Sequence, residues 1–314
     1  MLFTELSITT QSYLIEKSKN KRIALPEGED PRVLEAARIL KNEYHVQCEL
    51  GSPKYGQSRK QKTLSVLHSV AQKKGKPLSE KIEQLAEDAT FAAGAALSLG
   101  EVDAVISGCC NTTSHVIRAA LNTVGLKKET KIITSAFLLS LLKPTPGGES
   151  LVLYSDCAVI PKPTSEELCS IAYLAGQAYS VWTNTTPKIS FLSFSTMGSA
   201  EHAEIDIVKQ ATSLFCKNYP DILCDGEVQF DSACVPDVSK RKNPGSKICG
   251  GTNVFIFPDL NSGNIGYKMT QYIGGAKAWG PTLLGAAKPF SDLSRGASAL
   301  DIAHSVILVL ALAV

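Results

Sequence analysis

One local order recurs along this chain: a short apolar run, a small polar turn, then a stretch with helical periodicity. Arg22-Ile23-Ala24-Leu25 predicts a strand that Pro26 to Pro31 breaks, with Asp30 as N-cap and Pro31 at the first helical position. Val33, Leu34, Ala37 and Leu40 follow at helical spacing. Val102 to Ile106 runs into Ser107-Gly108-Cys109-Cys110-Asn111-Thr112-Thr113-Ser114 and a helix carrying His115 and Arg118. Ile189 to Leu192 runs into Ser193 to Ser199 and a helix from about Ala203 to Asn218. Asn253 to Phe257 runs into Pro258 to Asn264 and a helix containing Tyr267 and Lys268. Strands alternating with helices predict an α/β protein. Ligands of such sheets collect at the carboxyl ends of strands. The turns 107–114, 193–199, 258–264 and 288–298 are therefore expected to converge on one cleft between two α/β lobes.

The intervening segments fill in the pattern. Residues 1–19 read as an amphipathic helix with Leu2, Leu6 and Tyr13 on one side, and His45 to Leu50 as a strand. Lys54 to Lys76 is a lysine-rich run, either a solvated face or an electropositive rim for an anionic nucleotide. Ser79 is placed to cap a long helix through Ile82, Leu85, Ala89 and Ala93, ended by Gly100. Lys131 to Leu142 and Leu151 to Tyr154 predict strands, and Thr164-Ser165-Glu166-Glu167 is a capping box. Pro144-Thr145-Pro146-Gly147-Gly148 is the clearest linker signal, so domain I is expected over 1–143 and 286–314, with 144–285 as an inserted domain II. Gly274-Gly275 and Gly280-Pro281 end the region before Leu283.

Composition narrows the function classes. A length of 314 residues allows one large or two medium domains. A formal charge of +2 argues against a nucleic-acid binder working through bulk electrostatics. Nine cysteines without a C-x-x-C pair suit reduced thiols in a cytosol better than a disulfide framework or a zinc site, and the five histidines are scattered. Residues 1–19 carry Glu5 and lack the pattern of a signal peptide. Ser305 to Val314 is apolar but short of the about 20 residues a bilayer span needs, and reads as a buried terminal helix or a subunit contact. There is neither a G-x-G-x-x-G nor a Walker lysine motif, so no dinucleotide or ATP site is predicted. The expectation is a cytoplasmic protein without metal, tightly bound cofactor, membrane or nucleic-acid partner.

The densest chemistry lies at Lys288 to Asp301 (KPFSDLSRGASALD). Ser298 or Ser294 can cap the apolar helix that follows, and a helix start favours anions. Arg295 adds a planar five-donor fork, and Asp301 a carboxylate near any anion held there. A capped helix with a solvated arginine and aspartate accounts for the same residues.

Larger stretches resemble the phosphate acetyltransferase (phosphotransacetylase) family: Ala24 to Val33 (ALPEGEDPRV), Ser193 to Ser199 (SFSTMGS), Asp225 to Gln229 (DGEVQ), Asn253 to Tyr267 (NVFIFPDLNSGNIGY) and Ala287 to Ser298 (AKPFSDLSRGAS). The resemblance implies acetyl transfer between acetyl phosphate and coenzyme A, with coenzyme A as co-substrate. It also implies two three-layer α/β domains of the isocitrate/isopropylmalate dehydrogenase-like fold with an interdomain cleft, and a homodimer. In the matching pattern Asp301 is the base for the thiol proton, Ser294 a donor to the carbonyl oxygen, and Arg295 and Arg118 the phosphoryl contacts. Thr113, Ser193, Ser195 and Asn264 are implied substrate-binding residues. Two positions depart from the family. Ala297 stands where cysteine is common, so thiol-directed inactivation there is expected to be absent. Ala71-Gln72-Lys73 stands where an arginine usually precedes the Lys-Gly that is here Lys74-Gly75, which predicts weaker binding of the coenzyme A phosphates. The alternatives are a phosphate butyryltransferase-like enzyme with a wider pocket and a catalytically impaired relative acting as a binding module.

Overall fold

The structure is a computed structural model that describes residues 3–75, 77, 80–128 and 130–313. The chain divides into two compact units, Met1–Ile133 with Pro281–Val314, and Thr134–Gly280.

Unit 1 is built on β1 (Arg22–Leu25), β2 (Gln47–Leu50), β3 (Ala104–Ser107) and β10 (Phe290–Asp292), in the order β10-β3-β1-β2. All three pairings are parallel, so the turns that leave these strands lie at one edge of the sheet. Its helices are α1 (Ile8–Ser18), α2 (Pro31–Tyr44), α3 (Pro53–Lys73), α4 (Ile82–Ala86), α5 (Ala89–Leu99), α6 (Thr113–Thr123) and α12 (Ala299–Ala311). Ile23, Val105, Phe91 and Phe290 are fully buried among them. Asp30 caps α2 by accepting from the Arg32 N–H at 2.8 Å, with Pro31 starting the helix.

Unit 2 holds β4 (Thr134–Ser140), β5 (Leu151–Ser155), β6 (Lys188–Leu192), β7 (Leu223–Val228), β8 (Val254–Ile256) and β9 (Lys277–Leu284), in the order β7-β6-β8-β5-β4-β9. β5, β6, β7 and β8 run parallel, whereas β4 pairs antiparallel with β5. Its helices are α7 (Ser165–Thr183), α8 (Ala203–Asn218), α9 (Phe230–Cys234), α10 (Pro236–Lys242) and α11 (Leu260–Tyr272). Thr164 and Glu167 form the expected capping box on α7, and Trp182, Phe191, Phe215 and Phe255 fill the interior.

Several local expectations are revised by packing. The lysine run is a helix, α3, with Thr63, Val66 and Leu67 as a narrow buried stripe, and Lys54, Lys62 and Lys73 form the solvated face that was one of its two readings. The long helix expected after Ser79 is two, α4 and α5, because Asp88 accepts from the Thr90 and Phe91 N–H groups and starts α5 afresh; Ser79 and Leu2 lie outside the described residues. Gly280-Pro281 lies inside β9, at the sheet edge where a strand tolerates proline. Pro144 to Gly148 connects the β4–β5 hairpin, and the compact units divide earlier on the chain, at 133/134 and 280/281.

Candidate functional site

Three turns of unit 1 are knitted together by two side chains. Glu27, just past β1, receives the turn that leaves β3. Its Oε2 accepts from the Gly108 and Cys109 N–H groups at 2.9 Å each, and its Oε1 from those of Cys110 at 2.8 Å and Asn111 at 2.9 Å. The Asn111 amide at 2.9 Å and the Cys109 thiol at 2.8 Å also donate to it. Four consecutive N–H groups thus converge on one carboxylate, an anion-binding nest already occupied by protein. Arg32 joins the third turn. Its guanidinium grips Asp30 at 2.8 and 3.0 Å, and donates to the carbonyls of Arg295 at 2.8 Å, Ala297 at 3.1 Å and Cys109 at 3.2 Å. The hydrogen bonds from Arg32 hold the Asp30 carboxyl far below the usual carboxylate range.

Asp292 ends β10 and is buried, with its Oδ2 accepting from Thr113 Oγ1 at 2.5 Å. Burial pushes its pKa up to about 6, against the lowering effect of that bond. Gly108 makes this approach possible: its φ is +118°, and a Cβ there would lie 2.1 Å from Asp292 Oδ1. Any larger residue would drive β10 and the β3 turn apart.

The predicted residues of unit 1 fall around this frame. Ser294 and Arg295 are exposed in the turn between β10 and α12, and Ser294 Oγ accepts from the Gly296 N–H at 3.3 Å. The Arg295 backbone is fastened by Arg32, while its guanidinium makes no ion pair or hydrogen bond with any described residue. Asp301 is the third residue of α12. Its Oδ2 accepts from Ser298 N–H at 2.9 Å and Ser298 Oγ at 2.7 Å, and Ser298 Oγ in turn accepts from the Asp301 N–H at 3.2 Å. Ser298, rather than Ser294, is therefore the cap. Arg118 lies one turn into α6, its Nη2 at 3.4 Å from His115 Nδ1, and His115 Nε2 lies at 3.3 Å from Asp88. Arg118 and Arg295 are both cations without a carboxylate partner among the described residues.

Ser193, Ser195 and Asn264 belong to unit 2. Ser193 lines a cavity of about 890 Å³ at the carboxyl ends of the strands, with Tyr154, Leu192, Phe230, Phe257 and Met269 among its walls. Ser195 is buried and donates to Glu227 Oε1 at 3.0 Å, which also accepts from the Gly198 N–H at 2.7 Å. Asn264 donates to the Cys157 carbonyl at 3.0 Å and accepts from Lys268 at 2.9 Å. Ser195 and Asn264 therefore fasten the turns whose neighbours border the cavity.

Glu27, Cys109 and Cys110 have the spacing of a ligand set for a cation. Their arrangement is that of a hydrogen-bond cluster: Glu27 is taken up by backbone donors, and burial followed by the Glu27 hydrogen bond pushes the Cys109 thiol far up. A thiol held protonated in this way is neither a ready ligand nor a nucleophile. Glu27, Arg32 and Asp292 were not singled out as site residues by sequence reasoning. The available signal was an acidic residue at or just past the end of a short apolar run, in ALPEG and again in PFSD.

With this geometry in place, the comparisons with known proteins are specific. The family described as phosphate acetyl/butaryl transferase matches residues 53–310. The phosphate acetyltransferase of Clostridium acetobutylicum is 37% identical over 311 residues, covering 92% of this chain and 93% of that protein. The phosphate acetyltransferase of Treponema pallidum is 37% identical over 309 residues, covering 90% of this chain and 91% of that protein. The crystal structure of a phosphotransacetylase from Streptococcus pyogenes superposes with a TM-score of 0.86 at 32% identity, covering 98% of this chain and 99% of that one. The family match over residues 53–310 and the likeness to these relatives along nearly the whole length lead to one conclusion: the chain belongs to the phosphate acetyl/butyryl transferase family of acyltransferases.

Proposed function

We propose that this acyltransferase moves an acetyl group reversibly between acetyl phosphate and coenzyme A, by direct attack of the coenzyme A thiolate. The observation that carries the reading is the Arg295 turn. Arg32 holds the carbonyls on either side of Gly296, leaving the Arg295 guanidinium unpaired beside a capped helix start. A fixed backbone with a free guanidinium is a suitable cradle for a phosphoryl group.

The chemistry assigns each group a task. A thiol of pKa about 8.5 is only slightly ionised at neutral pH, so a positioned carboxylate assists. Asp301, with Oδ2 tied to Ser298, takes the thiol proton. The sulfur bonds to the acetyl carbon, and Ser294 donates to the carbonyl oxygen as it gains negative charge. The carbon–oxygen bond to phosphate then breaks, and Arg295 and Arg118 balance the charge on the departing phosphate. In this reading Thr113 orders the β3 turn through Asp292, and Ser193 is the substrate contact of unit 2. Ser195 and Asn264 shape the turns on either side of it. The two units acting as separate domains, with unit 2 inserted into unit 1, is part of the same proposal.

A homodimer in the cytoplasm completes the reading. Ile265, Tyr272 and Ile273 are 56%, 79% and 81% exposed and recur at helical spacing on and just past α11, an apolar stripe suited to a second copy. No helix among the described residues is long and apolar enough to cross a membrane.

The test is thioester formation followed by ultraviolet absorbance, with acetyl phosphate and coenzyme A as substrates and Asp301→Asn alongside. Silence of the unmutated chain would overturn the enzyme reading in favour of a binding module. Equal or better turnover of butyryl phosphate would overturn the acetyl assignment alone.

A further inference from the structure

Two thiols in unit 2 face each other across one short turn. Cys216 is in the last turn of α8, and Cys224 is in β7, the outer strand of its sheet. Their Sγ atoms are 2.6 Å apart. Unbonded heavy atoms reach their optimum at about 3.5–4 Å, whereas a disulfide bond is about 2.05 Å. The intervening turn is fixed from within. Tyr219 donates its N–H to the Phe215 carbonyl at 2.8 Å, Ile222 donates to the Tyr219 carbonyl at 3.1 Å, and the Tyr219 ring stacks on Tyr173 at 4.3 Å. The two thiols are therefore presented to each other by a turn that does not need to move. Cys216 is exposed and open to attack, whereas Cys224 is partly covered. The other close pair, Cys109 and Cys110, is 3.9 Å apart, adjacent in sequence, and committed to Glu27 and Asp30.

We propose that Cys216 and Cys224 form a reversible disulfide when the protein meets a low-molecular-weight disulfide, making this pair a redox modification site. The Cys216 thiolate attacks one sulfur of the small disulfide, and one small thiolate leaves. Cys224 then loses its proton to solvent and attacks the Cys216 sulfur, expelling the second small thiol. Two protein thiols are oxidised to one disulfide, and the small disulfide is reduced to two thiols. Burial, then the Cys216 contact, pushes the Cys224 thiol up, so its attack accelerates as pH rises. The bond ties the end of α8 to β7. The start of α8 contributes Glu204 and Val208 to the cavity wall, and the end of β7 carries Glu227. It thus stiffens unit 2 and leaves the Arg295 turn of unit 1 untouched.

The full chain is incubated with oxidised glutathione, remaining thiols are alkylated, and the protein is digested without reductant and mapped by mass. The expected product is a Cys216 peptide joined to a Cys224 peptide, reversed by dithiothreitol, with a rise in Tm of roughly 3–8 °C. In C224S, Cys216 is expected to stop at the mixed glutathione disulfide, and the rise in Tm disappears. The proposal is overturned if both thiols remain alkylatable at a dose that modifies exposed Cys249, or if Cys216 is joined to Cys169 or to another chain. Mapping of the unmutated protein decides the matter even if the serine variants fold poorly.

Discussion

Both units place a glutamate where one strand's end meets the turn of its neighbour, yet the two glutamates serve different surroundings. In unit 1 Glu27 gathers four N–H groups of the turn after β3, and charged side chains surround it: Asp30, Arg32 and Asp292. In unit 2 Glu227 gathers Ser195 and Gly198 of the turn after β6, with Lys209 at 4.0 Å. The space beside that turn is walled by Tyr154, Phe230 and Phe257. The same structural device therefore supports two surfaces. One carries Arg118 and Arg295, which have no carboxylate partner among the described residues, and the other borders a largely apolar recess.

The largest test of this contrast is chemical. Asp301→Asn is expected to lower the rate of thioester formation by about 10²–10⁴-fold, and Arg295→Ala to lower kcat by about 10²–10³-fold. Phe257→Ala, in the apolar recess, is expected to raise KM for coenzyme A with a smaller effect on kcat. If Phe257→Ala instead matched Arg295→Ala in kcat, the division between charged and apolar roles would be wrong.

Next come the paired glutamates. Glu27→Gln places an NH2 against N–H donors, because both of its oxygens accept, and is expected to cost about 1–3 kcal/mol in denaturant unfolding; Glu227→Gln can keep an oxygen at the Oε1 position and is expected to cost less. Only Glu27→Gln should also reduce kcat, since its turn leads to Thr113 and Arg118. Equal kinetic effects from both would erase the distinction between the units.

Asp292 offers a test through pH. Its folded pKa of about 6 lies above the ordinary 3.8, so the folded protein binds the extra proton between those values. This group's contribution is most favourable below about pH 4, and stability falls as pH rises through the window to about 6. Asp292→Asn is expected to flatten that part of the curve, measured by thermal unfolding across pH 4 to 7, roughly the window of the two pKa values. An unchanged slope would remove Asp292 from the account. The smallest effect is purely local: Thr164→Ala, which deletes the α7 cap, is expected to cost about 1 kcal/mol with no change in kcat.

Legibility in the sequence followed the range of the interactions. Asp30 and Thr164 could be read because a cap and its N–H lie two or three residues apart. β7 and β9 escaped notice because Asp225-Gly226-Glu227 and Gly280-Pro281 interrupt an apolar pattern, which outer strands permit. Ser294, Arg295 and Asp301 were legible only as a family pattern, since their composition equally describes an ordinary capped helix.

By itself, the sequence determined the alternation of strand, polar turn and helix, the helix starts, and the concentration of hydroxyl, guanidinium and carboxylate groups ahead of α12. These depend on periodicity and on hydrogen bonds that span a few residues. Tertiary structure alone decided that Glu27 would meet the N–H of Gly108, 81 positions on, and that Arg32 would hold the carbonyl of Arg295, 263 positions on. A donor reveals its partner locally only when both sit on one turn of chain. Parallel strands bring distant turns to a common edge, and there the partners are set by strand order and register.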